Sequence, residues 1–308
     1  TGKSGWWEQM VGPGLPIDTN RYHVICANVI GSCMGSTGPA SDKADGTPFA
    51  MAFPVITIRD MVRAQARLAE QLHVFRWMAV IGGSMGGMQA IEWAAMYPRR
   101  VSSLVSIAST AQASAQQIAW SYTGRLAIVN DPKWNGGDYY DAPDGEGPHE
   151  GFMLGRRIAQ IHYRSDESLH ERFSRSTRDP LDRFKPWDRF QVESYLDHHG
   201  RKLVQRFDAN SYLVLNRAMD MHDIGRGRGG LAAALARVTC PTLVVSIDSD
   251  DLYTPRQQVQ LRDGLKANGT PVEFEVLESI HGHDGFLIEF EQLGPMVDSF
   301  VSDHFKAR

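Results

Sequence analysis

The sequence has little cysteine: Cys26, Cys33 and Cys240 only, an odd number without CxxC spacing. That excludes a disulfide-stapled framework and the usual zinc-binding spacings, and it fits free thiols in a reducing cytoplasm. No run of about 18 apolar residues occurs, so no membrane-crossing helix is expected. The opening residues lack the basic, apolar, small-residue order of a secretory signal. An excess of one charge is also missing: the formal net charge is -4 with 22% charged residues, which argues against a general affinity for nucleic acid or acidic membranes. Gly2-Lys3-Ser4 has the last letters of a P-loop without its upstream glycine and strand, so it carries no phosphate-binding reading. No internal repeat or low-complexity tract is present.

What is present is an alternation of periods. Residues 22–30 (YHVICANVI) form a short β-rich run ending at Gly31, which predicts a buried strand. Over 57–72 the apolar positions Ile58, Met61, Val62, Ala66, Leu68, Ala69 and Leu72 recur three and four apart, which predicts a helix. Strands are expected at 77–81 and 101–108, with a helix over 88–96 between them that stops before Pro98. Residues 116–130, 152–162 and 192–221 read as helical and break this rhythm. It resumes with a strand at 242–247, a helix at 256–267, a strand at 272–277 and a C-terminal helix. Strands and helices in alternation give an α/β fold with a mostly parallel sheet. The expected organisation is a core of 1–110 and 238–308 with a helical lid inserted at 111–237.

Gly82-Gly83-Ser84-Met85-Gly86 matches G-x-S-x-G and lies where that motif needs to be, after a strand and before a helix. At such a turn small residues flank the serine because a bulky one two positions away would meet neighbouring backbone, and the hydroxyl is raised above the sheet. A dinucleotide loop fails here, since the third position of G-x-G-x-x-G is Ser84 or Met85 and the strand ending at Ala108 carries no acidic residue.

A serine needs a base to take its proton, and the base needs an orienting group. In this fold the chain order is Ser, then Asp or Glu, then His, the last two in loops after strands. The strand 242–247 runs into Asp248-Ser249-Asp250-Asp251, and 272–277 runs into a loop with His281 and His283. Spacing alone leaves Asp248, Asp250 and Asp251 open as the acid and His281 and His283 open as the base. The Met85 amide is placed to donate to an oxyanion.

Several blocks in fixed order carry a more specific signal: GWWEQMVGPGLPIDT from Gly5, NVIGSCMGSTGP from Asn28, GGSMGGMQA from Gly82, YRSD from Tyr163, QVESYLDHHG from Gln191, RFDANSYL from Arg206, DIGRGRGG from Asp223 and HGHDGF from His281. On these blocks the chain resembles the homoserine O-acetyltransferase family of α/β-hydrolase-fold acyltransferases over nearly its whole length. The resemblance implies an α/β-hydrolase fold, a triad of Ser84, Asp250 and His283, and substrate contacts from Arg156 to the homoserine carboxylate and from Asp284 to its amine. One cation and one anion suit the zwitterionic end of an amino acid.

The resemblance further implies ping-pong acetyl transfer from acetyl-CoA to L-homoserine in methionine biosynthesis, with no bound cofactor and no metal, in a cytoplasmic homodimer joined through lid helices. Relatives using succinyl-CoA, or serine as acceptor, supply the nearest alternative. A serine esterase and an inactive fragment are the others. The family carries an N-terminal segment of several strands, with an oxyanion-loop motif resembling HALTG, before the GWW block. Here that segment is expected to be missing, with weak or no activity for these 308 residues alone and full activity once it is restored.

Overall fold

The computed structural model describes residues 5–143, 145–178 and 189–306; Gly2-Lys3-Ser4 lies outside them. In chain order the first elements are two short strands, β1 (Val11–Gly12) and β2 (Ile17–Asp18). Then come α1 (Ile58–Gln71), β3 (Val80–Gly83), α2 (Met85–Met96) and β4 (Leu104–Ile107). Five helices follow: α3 (Ala115–Val129), α4 (His149–His162), α5 (Asp166–Phe173), α6 (Gln191–Val204) and α7 (Ala209–Asp220). The chain ends with α8 (Leu231–Leu235), β5 (Thr242–Ile247), α9 (Pro255–Lys266), β6 (Val272–Leu277) and α10 (Phe290–Lys306).

The chain divides into two compact units. One comprises residues 1–27, 58–113 and 222–308; the other comprises 28–57 and 114–221. These bounds depart from the sequence reading of a core at 1–110 and 238–308 around 111–237. The segment 28–57 joins the helical unit because its loop packs there: a Cβ on Gly31 would stand 2.5 Å from Ile56 and 3.1 Å from Val214, and one on Gly137 would stand 2.3 Å from Met51.

In the first unit β3, β4, β5 and β6 form a parallel sheet in chain order. Val80 pairs with Leu104, Leu104 with Thr242, and Thr242 with Val272. The two central strands are buried throughout, which explains why both read as continuous apolar runs without strict alternation. Their side chains still part by period two. Leu104 and Val244 enter one apolar cluster with Val62, Ala66, Ile91, Trp93 and Leu261, from α1, α2 and α9. Val105, Ile107, Leu243, Val245 and Ile247 enter a second with Phe286, Leu293, Val297, Phe300 and Val301. Helices on both faces are what a parallel sheet requires, since each crossover deposits one there.

The helical unit packs α3, α4, α6 and α7 around Ile128, Phe152, Leu203, Ala209 and Leu213. The helical pattern over 192–221 resolves into α6 and α7 because Asp208 interrupts it. Its carboxylate accepts from the Ser211 amide at 2.7 Å and so caps α7, while the hydroxyls of Tyr139 and Tyr140 donate to the same group.

Two strand expectations also change. Residues 22–30 are not a strand: none of them is buried, and they pair with no other strand. An apolar run has no ladder to join without a neighbour, whatever its propensity. The strands expected at 77–81 and 101–108 are shorter, with Trp77 and Val101 forming an isolated bridge ahead of the continuous ladder.

Candidate active site

Ser84 stands between β3 and α2 with φ 55° and ψ -125°, a region non-glycine residues avoid at a cost of roughly 1–3 kcal/mol. Its amide donates to the Ile107 carbonyl at 3.0 Å, extending the ladder one step beyond β3. The chain then reverses into α2 within one residue. A Cβ on Gly82 would lie 2.2 Å from the Gly86 backbone, one on Gly83 would lie 2.6 Å from Phe286, and one on Gly87 would lie 2.5 Å from Ser109. Gly86 differs, since an added Cβ there meets nothing within 4 Å. The crowding expected on both sides of the serine therefore falls on Gly82, Gly83 and Gly87.

The structure brings Ser84, His283 and Asp250 together, all within the first unit. The Ser84 hydroxyl and His283 Nε2 are 2.9 Å apart, and His283 Nδ1 is 2.8 Å from an Asp250 carboxylate oxygen. Asp250 is 1% exposed and His283 5%. The other Asp250 oxygen accepts from the amides of Leu252 at 2.8 Å and Tyr253 at 2.9 Å. Three donors thus converge on one buried carboxylate and fix its plane. With Nδ1–H donating to Asp250, Nε2 is left as an acceptor for the serine proton.

The alternatives left open by spacing sort themselves by what each side chain touches. Asp248 is exposed and accepts from the Ser279 amide at 2.9 Å. Asp251 is exposed as well. His281 faces Glu289, with 3.9 Å between Nε2 and the carboxylate. The two loops are laced together, Ser249 donating to the Ser279 carbonyl and accepting from the Gly282 amide at 3.0 Å. These bonds set the separation at which Asp250 meets His283.

Met85 is the first residue of α2, so its amide has no carbonyl a turn earlier inside the helix and stands at the helix's positive end. Asp284 follows His283 in the turn Gly282–Leu287 and is half-buried. Arg156 lies on α4 in the helical unit, its guanidinium 5.2 Å from the centre of the Tyr163 ring. Among the described residues it pairs with no carboxylate, whereas its neighbour Arg157 pairs with Asp197 at 2.9 Å. Burial lowers the His199 imidazole to about 4, with the Arg156 charge the next cause. Burial and Arg156 also hold the Arg206 guanidinium below its usual range. Arg156 thus sits in cationic surroundings that favour an incoming anion.

A family model described as alpha/beta hydrolase fold matches residues 1–290. A homoserine O-acetyltransferase from Thermobifida fusca (strain YX) is 52% identical over 298 residues, covering 97% of this chain and 77% of that one. The crystal structure of homoserine O-acetyltransferase from Bacillus anthracis superposes with a TM-score of 0.89 at 29% identity, covering 98% of this chain and 82% of that one. The chain belongs to the homoserine O-acetyltransferase family of α/β-hydrolase-fold enzymes. A crystal structure of esterase E22 matches equally well, with TM-score 0.89, 27% identity, and coverage of 98% and 83%.

Two residues, Ser109 beside the nucleophile turn and Tyr163 beside Arg156, carry no sequence signal of their own. Ser109, whose hydroxyl donates to the Ser84 carbonyl at 2.7 Å, follows a strand that reads as plain apolar core. Tyr163 lies in the quoted YRSD block, but nothing in its spacing announces its place beneath Arg156. Among the described residues no group of three or more His, Cys, Asp or Glu side chains is gathered closely enough to hold a metal ion.

Proposed function

We propose that the chain transfers an acetyl group from acetyl-CoA to the side-chain hydroxyl of L-homoserine through a covalent ester on Ser84. The hydrogen-bonded series Ser84, His283, Asp250, in a chain 52% identical to a named homoserine O-acetyltransferase, carries this reading. In the first half-reaction His283 Nε2 takes the Ser84 proton as the oxygen attacks the thioester carbonyl. The tetrahedral intermediate collapses, the C–S bond breaks, and the imidazolium returns its proton to the departing thiolate. In the second half the homoserine hydroxyl gives its proton to the same nitrogen, attacks the Ser84 ester, and the proton returns to Ser84. Asp250 stabilises the imidazolium in both halves. The Met85 amide donates to the oxyanion, aided by the α2 dipole.

For the acceptor, Asp284 beside the base is assigned to the ammonium group and Arg156 to the carboxylate. The absence of a carboxylate partner for Arg156 among the described residues favours that role over a structural ion pair. No bound cofactor enters the scheme; acetyl-CoA is a co-substrate and O-acetyl-homoserine feeds methionine biosynthesis. A cytoplasmic homodimer completes the reading. Free Cys26, Cys33 and Cys240 suit a reducing compartment, and no helix among the described residues is long and apolar enough to cross a membrane. Ile118 and Tyr122 on α3 and Leu154 and Ile161 on α4 are exposed apolar side chains suited to a second copy.

The test is thiol release from acetyl-CoA with and without L-homoserine, with succinyl-CoA in parallel. Release that depends on homoserine, prefers the acetyl donor and yields O-acetyl-homoserine supports the proposal. The likeness to esterase E22 favours one second reading, in which water takes the acyl group. Thiol release unaffected by homoserine supports that instead.

A further inference from the structure

The first turn of α9, Pro255-Arg256-Gln257-Gln258, carries two adjacent glutamines, and both are buried: Gln257 is 6% exposed and Gln258 0%. Gln257 has its side-chain oxygen on the Thr254 amide at 2.9 Å and its nitrogen 3.4 Å from the Thr110 hydroxyl. Gln258 differs in kind. Its amide nitrogen donates to the Ser109 carbonyl and, at 3.3 Å, to the Tyr253 carbonyl. Both neighbours are acceptors, so only the nitrogen end can face them. Its oxygen is buried without a hydrogen-bond partner among the described residues.

A buried acceptor left unpaired costs about 1–3 kcal/mol. A methionine would fill similar space without the stranded oxygen but would take away the donor that the Ser109 and Tyr253 carbonyls share, so what this side chain contributes is carried by its nitrogen. What the amide does select is the spacing of two loops. One follows β4: Ala108 turns it with φ 44°, and the Ser109 hydroxyl then holds the Ser84 carbonyl at 2.7 Å. The other follows β5: the Tyr253 amide holds Asp250 at 2.9 Å, and the Tyr253 ring lies 5.0 Å from the His283 ring. The nucleophile turn and the acid are thereby tied through one side chain.

The geometry points to Gln258 as a positioning residue that keeps Ser84 and the Asp250–His283 pair in register, acting through Ser109 and Tyr253. This rests on the acyl-transfer reading of the same site. Gln258→Met removes both donations and keeps the volume; Ser109→Ala breaks the same tie at its other end. Two readouts decide the matter. The first is the downfield proton resonance of His283 Nδ1–H, which needs no turnover. The second is the single-turnover rate of Ser84 acetylation by p-nitrophenyl acetate, with Ser84→Ala as blank.

The expected result for Gln258→Met is a shifted or exchange-broadened resonance and acetylation about tenfold slower, with half-saturation by the ester unchanged and the melting temperature lowered by no more than a few degrees. Ser109→Ala should slow acetylation similarly. The double variant should be slower than either single by less than the product of the two losses, because both act through one contact series. A native resonance in Gln258→Met with acetylation within twofold of the parent overturns the inference, as does strict additivity of the two changes. If the native chain itself gives no Ser84-dependent burst, the acyl-transfer reading fails, while the resonance still decides whether Gln258 positions the pair.

Discussion

Asp250→Asn separates holding the site together from running it. The native carboxylate accepts from three donors, the Leu252 and Tyr253 amides and His283 Nδ1–H. An asparagine offers one acceptor end and one donor end. With its oxygen toward His283, its NH2 group would face two buried amides, each then unpaired at about 1–3 kcal/mol. With its oxygen toward the amides, only the contact to His283 is spoiled, and the ring relieves it by moving its proton to Nε2. The second arrangement costs less, so the fold survives. The imidazole then carries its proton on the nitrogen that faces Ser84, and it cannot accept another as a neutral base. In a serine-protease triad the same substitution costs ~10⁴ in rate, which is about 5 kcal/mol of transition-state stabilisation at ~1.4 kcal/mol per decade. The assay is single-turnover acetylation by p-nitrophenyl acetate with enzyme in excess, alongside thermal unfolding. A loss of about three to four decades with an unchanged melting temperature is expected. A rate within tenfold of the parent would refute the claim that Asp250 sets the tautomer of His283.

Gly82→Ala puts a Cβ 2.2 Å from the Gly86 backbone and should destabilise by about 1–3 kcal/mol or more in urea unfolding; Gly86→Ala, whose Cβ meets nothing within 4 Å, should be neutral or stabilising by up to about 1 kcal/mol. Equal effects would contradict the steric account of this turn. Glu92, 1% exposed, bridges Arg59 at 2.9 Å and Arg228 at 2.7 Å; Glu92→Gln should lower unfolding free energy by up to about 3–5 kcal/mol because two half-buried guanidinium groups lose their buried counter-charge. His222 is buried, with Nε2 3.0 Å from the Thr110 carbonyl, and burial lowers it from 6.5 to about 4. Below pH 6.5 the unfolded chain binds a proton that the folded chain refuses, so stability falls as pH drops from about 6.5 to 4 and this contribution then levels off, amounting to about 3 kcal/mol at most. Urea titrations across that window should show a step in the parent that is reduced in His222→Asn; parallel curves would disprove it.

Much of this was legible because the first unit is built from short-range patterns. The apolar runs at 242–247 and 272–277 reappear as β5 and β6 with the same bounds, since a fully buried strand and a strand bounded by Pro271 need no distant information to be recognised. The turn at Ser84 was readable from Gly82 and its strand–helix setting. Which aspartate and histidine meet was readable from the family resemblance but not from spacing, because the choice is made by Ser249, Ser279 and Gly282, loop residues whose bonds span about thirty positions. The same holds for 28–57, which joins the helical unit through contacts of Gly31 and Met51 that no local period encodes. Residues 22–30 mislead for the opposite reason: their composition is strand-like, but sheet formation depends on a neighbour. Gln258 carried no signal because a glutamine in a helix is ordinarily a solvated residue, and only its burial makes it informative.

The central claim is a covalent acetyl intermediate on Ser84 that homoserine discharges, and intact-mass measurement after brief exposure to acetyl-CoA tests it most directly. The account predicts a single acetyl-sized mass increase that maps to the peptide containing Ser84, is absent in Ser84→Ala, and disappears far faster on addition of L-homoserine than in buffer alone. No adduct on Ser84, or an adduct whose decay is unchanged by homoserine, would contradict it.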